Sequence, residues 1–179
     1  MRDDGAMSVS VPHPSAPPRV VLVCGPAGAG KSTHALELEA DGYVRLSFDE
    51  EAWRLGHRDH PLGPDVTASV HADLQRRLVE HVCAGDDVVV DTSFWSRAQR
   101  DAYRAALAPY GVVPVVHYLR TPRDVVLARL ERRRHTSGND VVVSRDRALA
   151  YLDGFEVPTP EEGPMVVVDG TQSRKRPAT

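Results

Sequence analysis

The octet Gly25-Pro26-Ala27-Gly28-Ala29-Gly30-Lys31-Ser32 follows directly on the apolar run Val20-Val21-Leu22-Val23-Cys24. No other feature constrains the chain as tightly. Its form, G-x-x-x-x-G-K-[ST], is that of a phosphate-binding loop, or Walker A motif. Small or ring-locked residues between the outer glycines let successive backbone N–H groups turn inward around a polyphosphate. The helix that starts near Gly30 aims its positive dipole end at the same anion. Lys31 is then expected to reach the outer phosphates and Ser32 to offer its hydroxyl to Mg²⁺. Thr33 completes the expected nucleotide contacts.

Composition sharpens this. The 179 residues include 22 Lys and Arg, and only Lys31 and Lys175 are lysines. A compact ammonium fits the tight nest that the broad fork of arginine would not, so the one lysine of the folded body stands where its shape is required. A net charge of −3 argues against a broad nucleic-acid-binding surface, although a local basic groove would be hidden in that sum. Cys24 and Cys83 lack metal-ligand spacing and read as small buried hydrophobes, which fits a reducing cytoplasm.

Length indicates one well-buried domain. Residues 1–18, with Pro12, Pro14, Pro17 and Pro18, read as a disordered leader without a signal-peptide core, residues 19–169 as the domain, and 170–179 as a flexible basic tail. No apolar run is long enough to span a membrane. Strands are expected at 20–24, 43–48, 88–91, 113–119 and 165–168, and helices at 31–40, 66–84, 96–109, 122–133 and 144–155. Gly42, Gly85 and Gly111 are expected as helix stops. Valine-rich strands alternating with helices predict an α/β fold of the P-loop NTPase type, with a five-stranded, mainly parallel sheet flanked by helices on both faces and a short lid.

Ligands in such sheets sit beyond the carboxyl ends of the strands. There the sequence places Asp91, after Val88-Val89-Val90, as the carboxylate that orients Mg²⁺ opposite Ser32; a turn Asp that caps the next helix is the plainer alternative. Asp49 is expected at the acceptor side as the base that takes a hydroxyl proton, with Glu50 and Glu51 as competitors. An acidic helix N-terminus would explain all three equally simply. Trp53 and Trp95 each stand four residues after a candidate carboxylate and could wall the acceptor pocket, although at least one is expected in the core. Arg54 and Arg97 are further substrate candidates. Arg97, Arg100 and Arg104, with Asp101 between them, read better as a solvated helix face. His57 and His60 lack a third ligand and are not read as a metal site. Arg129 and Arg133 share a helix face before a polar stretch at about 134–143 with lid character. They are expected to act on the transferring phosphoryl group, although helix-end charge accounts for some of the local arginines.

Gly25–Ser32, Leu46-Ser47-Phe48-Asp49-Glu50, Val89-Val90-Asp91 and the run from Tyr118 to Arg133 together resemble small P-loop kinases of the AAA-type ATP-binding group. These are related to the kinase domain of phage polynucleotide kinase, zeta toxins and chloramphenicol phosphotransferase. The resemblance spans 19 to about 169. It implies that Lys31 and Ser32 bind ATP-Mg²⁺, that Asp49 activates an acceptor hydroxyl, that Arg129 and Arg133 grip nucleotide and phosphate, and that ATP is preferred to GTP. It departs in two places. Ala52 stands where the polynucleotide enzymes carry an arginine three residues after the base, and Arg134 stands where an asparagine is expected after the lid arginine. The expected function is a kinase acting on a small-molecule hydroxyl, such as a nucleoside, nucleotide sugar or antibiotic. A polynucleotide 5′-hydroxyl kinase and an ATP-gated switch protein are the alternatives; the switch has neither a guanine-reading Asn-Lys-x-Asp nor a second ATPase subdomain to support it.

Overall fold

The computed structural model describes residues 16–57, 62–134 and 145–172. Five strands, β1 (Val20–Cys24), β2 (Val44–Ser47), β3 (Val88–Asp91), β4 (Val115–Arg120) and β5 (Met165–Asp169), lie in the order β2-β3-β1-β4-β5. Every pairing is parallel. The helices of the described residues are α1 (Lys31–Ala40), α2 (Phe48–Arg54), α3 (Pro64–Ala84), α4 (Arg97–Leu107), α5 (Arg123–Arg134) and α6 (Arg145–Asp153), with 3₁₀ turns at Ala108–Tyr110 and Pro160–Glu162.

The valine-rich strands β1 and β3 are buried along their whole length because both faces of the sheet are covered there, whereas Val166 and Val167 of the edge strand β5 are about half exposed. Along β1 the side chains alternate. Val20, Leu22 and Cys24 join Leu46, Val88, Val90 and Val116 against α3 and α4, while Val21 and Val23 join Val89, Leu119 and the Ala35 and Leu38 of α1. β1 is flanked by β3 and β4, so the chain leaves it in both directions. That switch point opens a crevice at the strand C-termini, and the Gly25–Ser32 loop occupies it.

Helix α2 is the element missing from the expected list, which continued the second strand through Phe48. β2 stops at Ser47, whose hydroxyl accepts the Glu50 backbone N–H at 3.5 Å and caps a helix with Asp49, Glu50 and Glu51 in its first turn. Ser-x-x-Glu is a helix-start signal; the neighbouring aromatic residue obscured it. Two other expectations change. Cys24 is buried, and its burial pushes the thiol up to about 11, but Cys83 is exposed on α3. Arg100 is fully buried and ion-paired with Glu162 at 2.7 Å, so the α4 arginines are not one solvated face. The leader (apart from residues 16–18), His60, nearly all of the lid stretch, the side chain of Arg133 and residues 173–179 lie outside the described residues.

Candidate active site

The phosphate loop has the backbone that its glycines make possible. Gly28 and Gly30 adopt φ of 83° and 101°, in the left-handed region that favours glycine. A Cβ on Gly28 would also lie 3.2 Å from the Val126 carbonyl oxygen of α5. Lys31 folds back over the loop and donates to the Pro26 carbonyl at 3.1 Å. Gly30 is the N-cap of helix α1 and supplies no side-chain cap, so the first N–H groups of the helix face the loop. Pro26, Ala27 and Ala29 complete the turn, and the Ala29 N–H donates back to the Pro26 carbonyl at 3.1 Å. Thr33 follows on α1 and lines an adjoining groove of about 340 Å³, together with His34, His117, Arg129 and Gly170.

Strand register brings the acidic groups to this loop. Ser47 and Asp91 pair at the ends of β2 and β3, and Val23 pairs with Asp91 one residue before the end of β1. The Asp91 carboxyl is buried, and burial raises its pKa above the usual aspartate value. A hydrogen bond with Ser32 and the charges of Lys31 and Arg45 pull the other way, while Asp49 is near enough to add to the rise. Hydroxyl and carboxylate oxygens meeting beside a phosphate loop form the hard-oxygen donor set that Mg²⁺ prefers. Ser32 and Asp91 therefore fit the ion.

Arg45 was not among the sequence candidates. It projects from β2, with Nη1 3.7 Å from Asp91 Oδ2 and Nε 3.4 Å from Glu39 Oε2, and it also pairs with Glu50. The signal was the alternation of β2: Arg45 shares a face with Tyr43 and Ser47, opposite Val44 and Leu46, and a charged residue there needs carboxylate partners. These contacts sort the three acidic residues of α2. Glu50 is tied to Arg45. Glu51 is buried between Arg54 and Arg77, and Arg54 also reaches Asp73. Asp49 is exposed at the crevice.

The remaining candidates are dispersed. Trp53 is 61% exposed, one helical turn beyond Asp49. Trp95 is half-buried and leans on α6, its indole N–H donating to the Tyr151 carbonyl at 3.2 Å; neither tryptophan is in the core, contrary to expectation. Arg97 is exposed on α4 beside Asp101 at 3.3 Å. Arg54 is paired with Glu51 and Asp73. Arg129 braces the loop, its Nη1 donating to the Gly28 carbonyl at 3.2 Å and to the Gly170 carbonyl at 2.9 Å. Gly170 must be glycine: a Cβ there would sit 1.9 Å from Thr121 Oγ1 and 2.4 Å from the Ala29 carbonyl. Among the described residues no group of three His, Cys, Asp or Glu side chains could hold a metal, and no helix is long and apolar enough to cross a membrane.

Residues 20–158 match the AAA domain family AAA_33, and the chain belongs to that family. Its fold is that of the P-loop kinases. A sugar kinase from Janibacter sp. HTCC2649 is similar at 22% identity and a TM-score of 0.65, with 87% of each chain covered. A gluconokinase from Sinorhizobium meliloti 1021 is similar at 27% identity and a TM-score of 0.62, covering 87% of this chain and 85% of that one. A chain of the Pnkp1/Rnl/Hen1 RNA repair complex is similar at 16% identity and a TM-score of 0.66, over 76% of this chain and 43% of that one. A search of curated proteins gave no match.

Proposed function

We propose that the protein is a magnesium-dependent kinase that moves the γ-phosphoryl group of ATP to a hydroxyl of a small molecule. The observation that carries this reading is the strand register that sets Asp91 beside the end of β1, from which the phosphate loop leaves, and beside Ser47, two residues before Asp49. The kinase fold and the gluconokinase likeness support the same reading.

In this mechanism the loop N–H groups and Lys31 hold the β- and γ-phosphates, and Ser32 and Asp91 would hold Mg²⁺, which would supply neutralisation of phosphate charge. Asp49 accepts a hydrogen bond from the acceptor hydroxyl and takes its proton as the new P–O bond forms. The bond between the γ-phosphorus and the bridging oxygen breaks, and ADP leaves with the electron pair. Arg45 ties α2, through Glu50, to the strand end that carries Asp91.

Transfer of label from [γ-³²P]ATP to nucleosides, nucleotide sugars, aminocyclitols, sugars, chloramphenicol-like alcohols and oligonucleotides tests the reading. A labelled small-molecule ester supports it, and labelling of oligonucleotides alone replaces it with a 5′-end kinase. Lys31→Ala should abolish turnover and weaken MgATP binding by titration calorimetry without lowering the melting temperature, because the lysine faces the loop rather than the core. Unchanged ATP affinity in the folded variant contradicts the assignment. Arg133→Ala should lower kcat by about 10–10³-fold with a smaller change in ATP binding, since a guanidinium on the transferring group acts on transition-state charge. A loss of thermal stability alone would make Arg133 a helix-end charge.

A further inference from the structure

Helix α2 has two faces. Inward, Glu51 and Ala52 are buried and Phe48 packs on the core. Outward, Asp49 and Trp53 lie four residues apart, so they sit one above the other, and both are exposed. Ser47, the last residue of β2, pairs with Asp91 at the end of β3, and Asp49 follows it by two residues in the first turn of α2, so this helix starts at the crevice. An indole with 61% of its surface exposed, one turn from the expected base, offers a flat apolar wall beside an acceptor oxygen.

The charges around that wall are unusual for a site that receives an anion. The described arginines nearest to it are already paired with carboxylates: Arg45 with Glu39, Glu50 and Asp91, and Arg54 with Glu51 and Asp73. Position 52 carries a buried alanine, so no cation projects from α2 there. With Glu50 paired to Arg45 and Arg54 paired to Glu51 and Asp73, the charge that α2 turns to the crevice is the Asp49 carboxylate, with Asp91 behind it. Carboxylates accept hydrogen bonds from neutral hydroxyls and repel phosphodiesters and carboxylic acids.

We propose that the acceptor is a neutral polyhydroxylated ring, a sugar or cyclitol, that stacks one face on Trp53 and presents a hydroxyl to Asp49. The aliphatic C–H face of such a ring is an apolar surface that an indole covers well, and its edge hydroxyls meet the carboxylates. The proposal rests on the kinase reading of the same site. The reacting hydroxyl loses its proton to Asp49, its oxygen takes the γ-phosphoryl group, and ADP is released.

The test uses the full chain with Mg-ATP and [γ-³²P] label. The acceptors are D-glucose, D-ribose and myo-inositol as neutral rings, D-gluconate as an anionic polyol, and a 5′-hydroxyl oligothymidylate. Intrinsic tryptophan fluorescence is followed separately with a non-hydrolysable ATP analogue. A neutral ring should be labelled in preference to gluconate and oligothymidylate, and should change the fluorescence of the wild-type protein but not of Trp53→Phe. Trp53→Ala should raise the acceptor KM by about 10-fold or more, Trp53→Phe should restore much of it, and the ATP KM should stay within about twofold in both. Because the indole is exposed, both variants are expected to fold, and their melting curves check this. Labelling of gluconate or oligothymidylate in preference to every neutral ring overturns the proposal and leaves the kinase reading standing. Hydrolysis of ATP with no labelled acceptor of any kind overturns both.

Discussion

Asp49→Asn is expected to lower kcat by about 10²–10⁴-fold while leaving MgATP affinity nearly unchanged. The amide keeps the size of the carboxylate and can still accept a hydrogen bond from the acceptor hydroxyl, but it cannot take up the proton. The nucleotide-binding groups, Lys31, Ser32 and Asp91, are untouched by the change. The two neighbouring acidic residues are poor substitutes: Glu50 is paired with Arg45, and Glu51 is buried between Arg54 and Arg77. Single-turnover transfer alongside calorimetric ATP binding checks this. Near-wild-type transfer in the variant would remove Asp49 from the mechanism, and Glu50→Gln would be measured next.

Arg100→Ala is expected to cost about 3–5 kcal/mol of stability, because it takes the two-pronged partner from a buried carboxylate and leaves it only the longer contact with Arg104 at 3.4 Å. Arg100 is wholly buried, and its Nε and Nη2 each meet Glu162 at 2.7 Å. Its Nη1 donates to the Phe94 and Glu156 carbonyls, both at 2.9 Å. It therefore clamps the chain just after β3 to the segment leading into β5. The same clamp steadies the loop mouth, since the Gly25 N–H donates to the Ser93 carbonyl at 3.2 Å. The hydrogen bond from Arg100 holds the Glu162 carboxyl below the usual glutamate range. A carboxylate depressed in the folded state stabilises the fold above its unfolded pKa of 4.5. That contribution is lost as the pH falls through the folded value. Urea unfolding at neutral and acid pH checks both points. The variant should lose most of its deficit relative to wild type once Glu162 is protonated in both, and a loss below about 1 kcal/mol at pH 7 would show that the pair is not a structural clamp.

The sheet and its loop are legible in the sequence because their signals are local. Val20–Cys24 is an unbroken apolar strand, and the octet after it admits one backbone. Helix α2 is legible only as the acidic helix N-terminus that the sequence offers as an alternative for Asp49, Glu50 and Glu51, which the structure bears out; seven residues show too little periodicity to outweigh the apparent continuation of β2. The separate roles of Asp49, Glu50 and Glu51 could not be read from three adjacent acids. They diverge only through Arg45, Arg54 and Arg77, which approach from a strand, the helix itself and α3. Arg129 is a similar case: its helical position is evident, but its two carbonyl partners, Gly28 and Gly170, are about 100 and 40 residues away in sequence. Arg100 looked like part of a solvated stripe because its partner, Glu162, lies in a different segment and becomes its neighbour only when that segment folds back over α4.

Transfer of the γ-phosphoryl group of ATP to a hydroxyl rather than to water is tested most directly by ³¹P NMR of the reaction products. Wild-type protein incubated with Mg-ATP and its acceptor should convert the γ-phosphate resonance into a phosphomonoester signal in step with ADP, and neither Lys31→Ala nor Asp49→Asn should do so at a comparable rate. Formation of ADP with inorganic phosphate as the only other product, unchanged by Asp49→Asn, would contradict it.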